Sequence, residues 1–239
     1  MSLPTFKFRW IPFLAMLAGM ALFIQLGLWQ SGKGDRLEAE LGQRAQRQQL
    51  GPTRLGPALV DAAAVQDAPI TVTGVYEPER QFFLDNRQEN NQPGVHVITP
   101  LRIEGSQTRI LVNRGWVGWT HGRAVLPVVD TPAGPVQIRG LAFVPSTKKF
   151  FLMPERVESD PRLRERLDLA HYAAQLGQPL QPVVLLQDPG DARDNLVRHW
   201  PPPENRVGMH RGYAFQWFGM AVALLLFYLV AGFHQGSKA

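Results

Sequence analysis

The chain closes on 206-RVGMHRGYAFQWFGMAVALLLFYLVAGFHQGSKA-239. His210 and Arg211 stand directly before a run from Tyr213 to Phe233 that contains no charged residue. A titratable ring at the mouth of so apolar a segment has two physical readings. It is a headgroup-level anchor residue, or it is a ligand at the entrance of a cofactor site. Either way the run is long enough, at about 20 residues or roughly 30 Å of helix, to cross a bilayer core.

A second such run lies near the other end, Ile11 to Leu28, "IPFLAMLAGMALFIQLGL". Aromatic residues flank both, Trp10 and Trp29 on the first and Tyr213 and Trp217 on the second, as expected at headgroup depth. Residues 10–30 and 210–233 are therefore expected to be two transmembrane helices. The first is read as an uncleaved anchor, because it is too long for a signal-peptide core and "LGLWQSGKG" offers no small-x-small cleavage pattern. Two spans put both tails, residues 1–9 and 234–239, on one side. Lys7, Arg9 and Lys238 favour the cytoplasm for them, since a long connecting domain is largely exempt from the positive-inside rule. Residues 31–209 then form an extracytoplasmic domain at the cell inner membrane.

The chain has no cysteine among 239 residues, which excludes thiolate metal delivery, Cys-based zinc sites and covalent haem attachment. Its size is sufficient for a core without disulfides. The formal charge of +5 does not mark a nucleic-acid binder, because the basic residues are scattered among acids. Contact with an anionic lipid bilayer is the better use of that charge.

Between the runs, "SGKGDRLEAELGQRAQRQQL" reads as a helix leaving the membrane, broken by "GPTRLGP". "VDAAAVQDAP" allows a short helical turn. "ITVTGVYEP", "VHVITPLRI", "RILVNRGWVGW" and "VQIRGLAFV" then alternate or run β-branched between Gly and Pro. With no βαβ alternation, the expectation is α+β, a mainly antiparallel, partly closed barrel-like sheet with one or two short helices. "DPRLRERLDLAHYAAQLGQP" supplies one helix, with Asp160 as N-cap and Gly177 as terminator, and "PVVLLQD" a last strand.

The six histidines form no H-x-x-x-H or H-E-x-x-H pair, and no nucleophile elbow, P-loop or dinucleotide fingerprint occurs. His96, His121 and His171 read as satisfied or exposed rings. On the last helix, Tyr213, Trp217 and Tyr228 fall within about 60° of the azimuth of His210, flanked by Ala214 and Ala221. That stripe suits an imidazole ligand to haem iron beside stacking rings. It suits equally an aromatic belt with small residues packing on the first helix. Gln216, a third of a turn away, is expected to bond Gln25 or a partner helix.

Four stretches carry a resemblance: "LGLWQ" at 26–30, "GVYEPERQFFLDNRQENNQPGVHVITPL" at 74–101, "LVNRGWV" at 111–117 and "HRGYAFQWF" at 210–218. In this order, between two spans, they resemble the Surfeit locus protein 1 family of cytochrome oxidase biogenesis factors. Lys33 before Arg36 reverses the family's usual order after its W-Q, and Arg211 stands where an apolar residue is common. The resemblance implies a non-enzymatic membrane assembly factor. Its partners would be subunit I of a haem-copper oxidase, a haem a synthase and the lipid bilayer, with no nucleic acid. It further implies haem a binding with His210 as iron ligand, and Tyr213 and Trp217 beside it. "LDNR" and "VNRGWV" admit two readings. In one, Arg87 and Arg114 meet haem propionates or the oxidase subunit. In the other, Asn86 and Asn113 are turn residues, with Arg87 and Arg114 paired to nearby acids and Trp116 in the core. The alternative function is a haem-free scaffold that stabilises subunit I.

Overall fold

The computed structural model describes residues 6–120, 122–123, 125–145, 160–191 and 194–236. His121 lies outside them. The chain divides into two compact units, residues 1–43 with 202–239, and residues 44–201.

The first unit is a helix pair. Helix α1 (Trp10–Gln48) and helix α4 (Val207–Gly236) both contain stretches long and apolar enough to cross a membrane, with mean hydropathy 2.0 and 1.9. At 1.5 Å per residue α1 is about 58 Å long, so the apolar part and the polar continuation expected from the sequence are one uninterrupted element. The helices meet through small residues. A Cβ added at Gly27 would lie 2.6 Å from the Phe218 ring, and one at Gly19 would lie 2.7 Å from Leu224. Ala214 and Ala221 are buried, and Phe23 stacks on Trp217 with centroids 5.9 Å apart. Small residues of this kind let two helix backbones approach closely.

The second unit is α+β. Strands β1 (Thr53–Arg54), β2 (Pro69–Tyr76), β3 (Phe82–Glu89), β4 (Gln92–Ile103), β5 (Arg109–Gly118), β6 (Pro135–Phe143), β7 (Leu163–Arg164) and β8 (Leu180–Gln187) form one sheet. Its order is β1-β2-β6-β8-β5-β4-β3-β7. The sheet is mixed, because β1–β2, β3–β7 and β5–β8 pair in parallel. Its ladder turns back on itself where Gly74–Tyr76 of β2 also pair with Leu101–Ile103 of β4. That short seam leaves a strongly curled sheet, with β1, β3 and β7 outside the ring, and not a true barrel.

Burial alternates strictly along β2, whereas β5 is buried from Arg109 through Trp116. The difference follows from position: β2 has one covered face, and β5 is covered on both. Ile70, Val72, Leu101, Ile110, Val112 and Leu185 form one core beneath α2 (Ala62–Val65). Phe82, Leu84, Ile98, Leu111 and Val184 form another beneath α3 (Leu169–Leu176).

Two expectations need correction. Helix α3 starts at Leu169 with Asp168 as its N-cap, not at Asp160. Asp160 caps only a turn, accepting from Arg162 N, and Leu163–Arg164 then join the sheet edge beside Phe83–Leu84. Burying Leu163 against Phe83, Val95 and Val97 outweighs the helical pattern. Likewise "LDNR" is not a turn but part of β3. Asn86 takes φ 56° inside it, and the register shifts between Leu84 and Arg87, which is a β-bulge.

Candidate functional site

His210 sits in the first turn of α4, whose start is fixed by Asn205 Oδ1 accepting from Val207 N. Its half-buried ring faces α1, where Nδ1 donates to Gln30 Oε1 over 2.9 Å. Gly34 lies opposite it, where an added Cβ would make an ordinary van der Waals contact of 3.5 Å with the His210 Cβ. One residue on, Arg211 donates to Glu38 Oε2 over 2.6 Å, with both side chains more than half exposed. Lys33 lies 4.1 Å over the Trp29 ring.

Gln30 therefore sets the chemistry of the ring. An amide oxygen can only accept, so Nδ1 carries a proton, and the neutral tautomer compatible with this bond has its lone pair on Nε2. Nε2 makes no hydrogen bond to a described residue. An imidazole oriented through one nitrogen by a fixed partner is the arrangement a metal ligand requires.

The rest of the stripe has mixed roles. Tyr213 is 46 % exposed, next to His210 along the helix. Trp217, about 10 Å further along the axis, has a face on Phe23. Tyr228 lies about 27 Å from His210 along the helix, too far to join it. It belongs to an aromatic group with Phe6 and Phe13, its hydroxyl buried without a hydrogen-bond partner among the described residues. The expected Gln216–Gln25 bond is not made, both side chains being exposed on the helix surfaces. The interhelical amide is Gln30. It stood in plain sight in "LGLWQ", but only the packing of α1 on α4 reveals its partner.

Arg114 belongs to a different structure. It is the extra residue of a bulge in β5, where Val97 pairs with Gly115 and Ile98 with Asn113. Its guanidinium is 1 % exposed and donates to Thr131 Oγ1, the Asp130 carbonyl and Asp194 Oδ2. No face of it is open to a propionate, so of its two roles the pairing with nearby acids is the one the geometry permits. Asp194 also takes Arg198, itself buried, through two bonds of 2.7 and 2.8 Å. Trp116 bridges Val197 and is buried, with Nε1 donating to the Arg87 carbonyl. "VNRGW" is thus a clamp on the segment 194–198.

Among the remaining histidines, His96 on β4 accepts from Asn113 Nδ2 over 3.1 Å when its proton is on Nε2, and lies edge-on to Trp200. Burial first, and Arg87 second, push its pKa down to about 4, so it is neutral at physiological pH. His171 is exposed and bonds Gln175, and His199 bonds Glu89.

Comparison with known proteins bears on the whole arrangement. The model of the SURF1 family matches residues 17–222, which takes in the described part of both helices around Gln30 and His210. A SURF1-like protein of Rickettsia bellii is 24 % identical over 227 residues, 91 % of this chain and 89 % of the relative. One of Rickettsia felis is 23 % identical over 227 residues, 91 % and 95 % of the two chains. Surfeit locus protein 1 of Arabidopsis thaliana is 30 % identical over 121 residues, 46 % of this chain and 34 % of that protein. The chain belongs to the SURF1 family.

Proposed function

We propose that, as a member of the SURF1 family, this chain is a membrane-held, non-enzymatic assembly factor for a haem-copper cytochrome oxidase, holding haem a through His210 on its way to subunit I. A haem a synthase would be the source of that cargo. The helices α1 and α4 would span the inner membrane with both termini cytoplasmic and the sheet domain outside.

The observation that carries the reading is the Gln30–His210 bond, which orients the ring through Nδ1 and leaves Nε2 without a bond to a described residue at the start of an apolar helix. The residues present fit the group. Haem a supplies an iron that takes an imidazole and a long apolar tail that prefers lipid. His210 offers the ligand nitrogen, and Gln30 holds its tautomer and tilt. Tyr213 offers a flat exposed face beside it, and Trp217 walls the helix side against Phe23.

The test is a Soret spectrum of protein purified from cells that make haem a. His210→Ala is expected to lose the haem, and Gln30→Leu to weaken its retention about 10- to 100-fold, as loss of an orienting partner does at other metal ligands. Haem content unchanged in His210→Ala defeats the reading.

One observation favours the haem-free scaffold instead. Ala214, Trp217 and Ala221 on the same stripe are already engaged in packing, so this side of α4 is largely a helix–helix surface. Under that reading subunit I co-purifies normally with His210→Ala and is lost with Trp217→Ala.

A further inference from the structure

A cavity of about 280 Å³ lies at the edge of the sheet domain, between the turn after β2, strand β7 and helix α3. We infer that it is a binding site for a small carboxylate with an apolar body, held by Arg164 and Arg80 over a floor made by Phe82 and Tyr172.

The charge balance around the cavity supports an anion. Arg80, Arg162 and Arg164 line it against one carboxylate, Glu79, which is exposed at the rim. Arg162 is consumed by Asp160 through two bonds of 3.1 and 2.7 Å. Glu77, just behind the wall, is consumed by Arg109, whose fork meets both carboxylate oxygens at 3.0 and 2.9 Å. Arg80 reaches Glu77 only at 3.6 Å and is 45 % exposed. Arg164 has no carboxylate within ion-pair distance among the described residues, and its only hydrogen bond is a long one, 3.4 Å, to Gln175 Oε1. Two guanidiniums thus face the cavity with their charge poorly matched.

Arg164 is also held in shape. Its guanidinium lies 4.7 Å over the Phe82 ring and 5.3 Å over that of Tyr172, which are themselves 5.3 Å apart. Stacking fixes the plane of the fork before any ligand arrives, so little side-chain freedom remains to be lost on binding. The Tyr172 hydroxyl feels the same field: burial raises its pKa, while Arg164, Arg80 and Arg109 pull it down against Glu77.

Volume decides the size of the ligand. Drug-sized sites run to about 300–1,000 Å³, so this cavity takes one small acid or one side chain and not a whole cofactor. Leu176, Pro161 and the Phe82 and Tyr172 rings give it an apolar lining that an inorganic anion would not use. A free organic acid and an acidic side chain of an extended protein segment present the same chemistry.

The experiment uses the full chain in nanodiscs of zwitterionic lipid, with saturation-transfer NMR on added probes. The probes are 3-phenylpropionate, its uncharged analogue 3-phenylpropanamide, and the acetylated dipeptide amide Phe-Glu. The acids are expected to bind and the uncharged amide not to. Arg164→Ala should weaken binding about tenfold or more, because a charge-assisted fork is lost. Gln175→Glu, which places a carboxylate beside Arg164 without removing the stacked guanidinium, should block the site. Arg54→Ala, a distant exposed arginine on β1, should change nothing. Tighter binding of the dipeptide identifies a protein segment as the source, and tighter binding of the free acid identifies a small molecule. Equal binding of 3-phenylpropanamide, or full binding by both Arg164→Ala and Gln175→Glu, overturns the inference.

Discussion

His96 carries a measurable acid sensitivity. Its folded pKa lies near 4, below the ordinary 6.5, because burial and Arg87 both disfavour the charged ring. Above pH 7 native and unfolded chains hold the same, neutral imidazole. As pH falls from 6.5 toward 4, the unfolded chain binds a proton that the native one rejects, and stability is lost at about 1.4 kcal/mol per pH unit. The total is up to about 3 kcal/mol. Urea titrations of detergent-solubilised protein between pH 7 and 4 should show this slope, and His96→Gln should be flatter by that amount. A parallel pH dependence in the two proteins refutes the assignment. Arg114 gives the second residue-scale expectation. Replacing it with Met leaves the Asp130 carbonyl and Thr131 without their donor and Asp194 with Arg198 alone. Leaving a buried acceptor unpaired costs about 1–3 kcal/mol, and a melting temperature equal to wild type would contradict that cost.

Two elements are locked by close approach. At the clamp, Gly115 takes φ 138°, and a Cβ there would lie 2.8 Å from the Val197 carbonyl and 2.9 Å from the Leu196 Cβ. Gly115→Ala is therefore expected to cost about 1–3 kcal/mol from backbone strain alone, read from the same urea titrations. In the helix pair, the contact between Gly27 and Phe218 predicts a compensating pair of substitutions. Gly27→Ala should destabilise the helix contact, and Phe218→Leu, by making room, should restore part of the loss. A double-mutant cycle on thermal stability in detergent is expected to show coupling of about 0.5–3 kcal/mol. Strict additivity would mean that the two helices do not pack there.

For the whole molecule, the proposed span of a membrane by α1 and α4 would put both termini on one side and the sheet domain on the other. The chain has no cysteine, so single introduced thiols report their side cleanly. In intact cells a membrane-impermeant maleimide should label Gln107→Cys, an exposed position in the turn between β4 and β5, and should miss Ser2→Cys. Labelling of both, or of Ser2→Cys alone, contradicts the proposed topology.

The order of elements was legible because it rests on local physics. Uncharged runs from Ile11 to Leu28 and Tyr213 to Phe233 can only be buried or lipid-facing helices, and "ITVTGVYEP" alternates because a strand does. His210 could be singled out for the same reason, as a polar ring beginning an apolar helix. What the sequence could not show depends on residues far apart in the chain. The Gln30–His210 bond joins positions 180 residues apart. Leu163–Arg164 left a helical pattern for a sheet edge, Asn86 became a bulge instead of a turn, and Arg114 was drawn inward by Asp194, 80 residues away. In each case a buried partner supplied by the fold outweighed a local preference worth only tenths of a kcal/mol to about 1 kcal/mol.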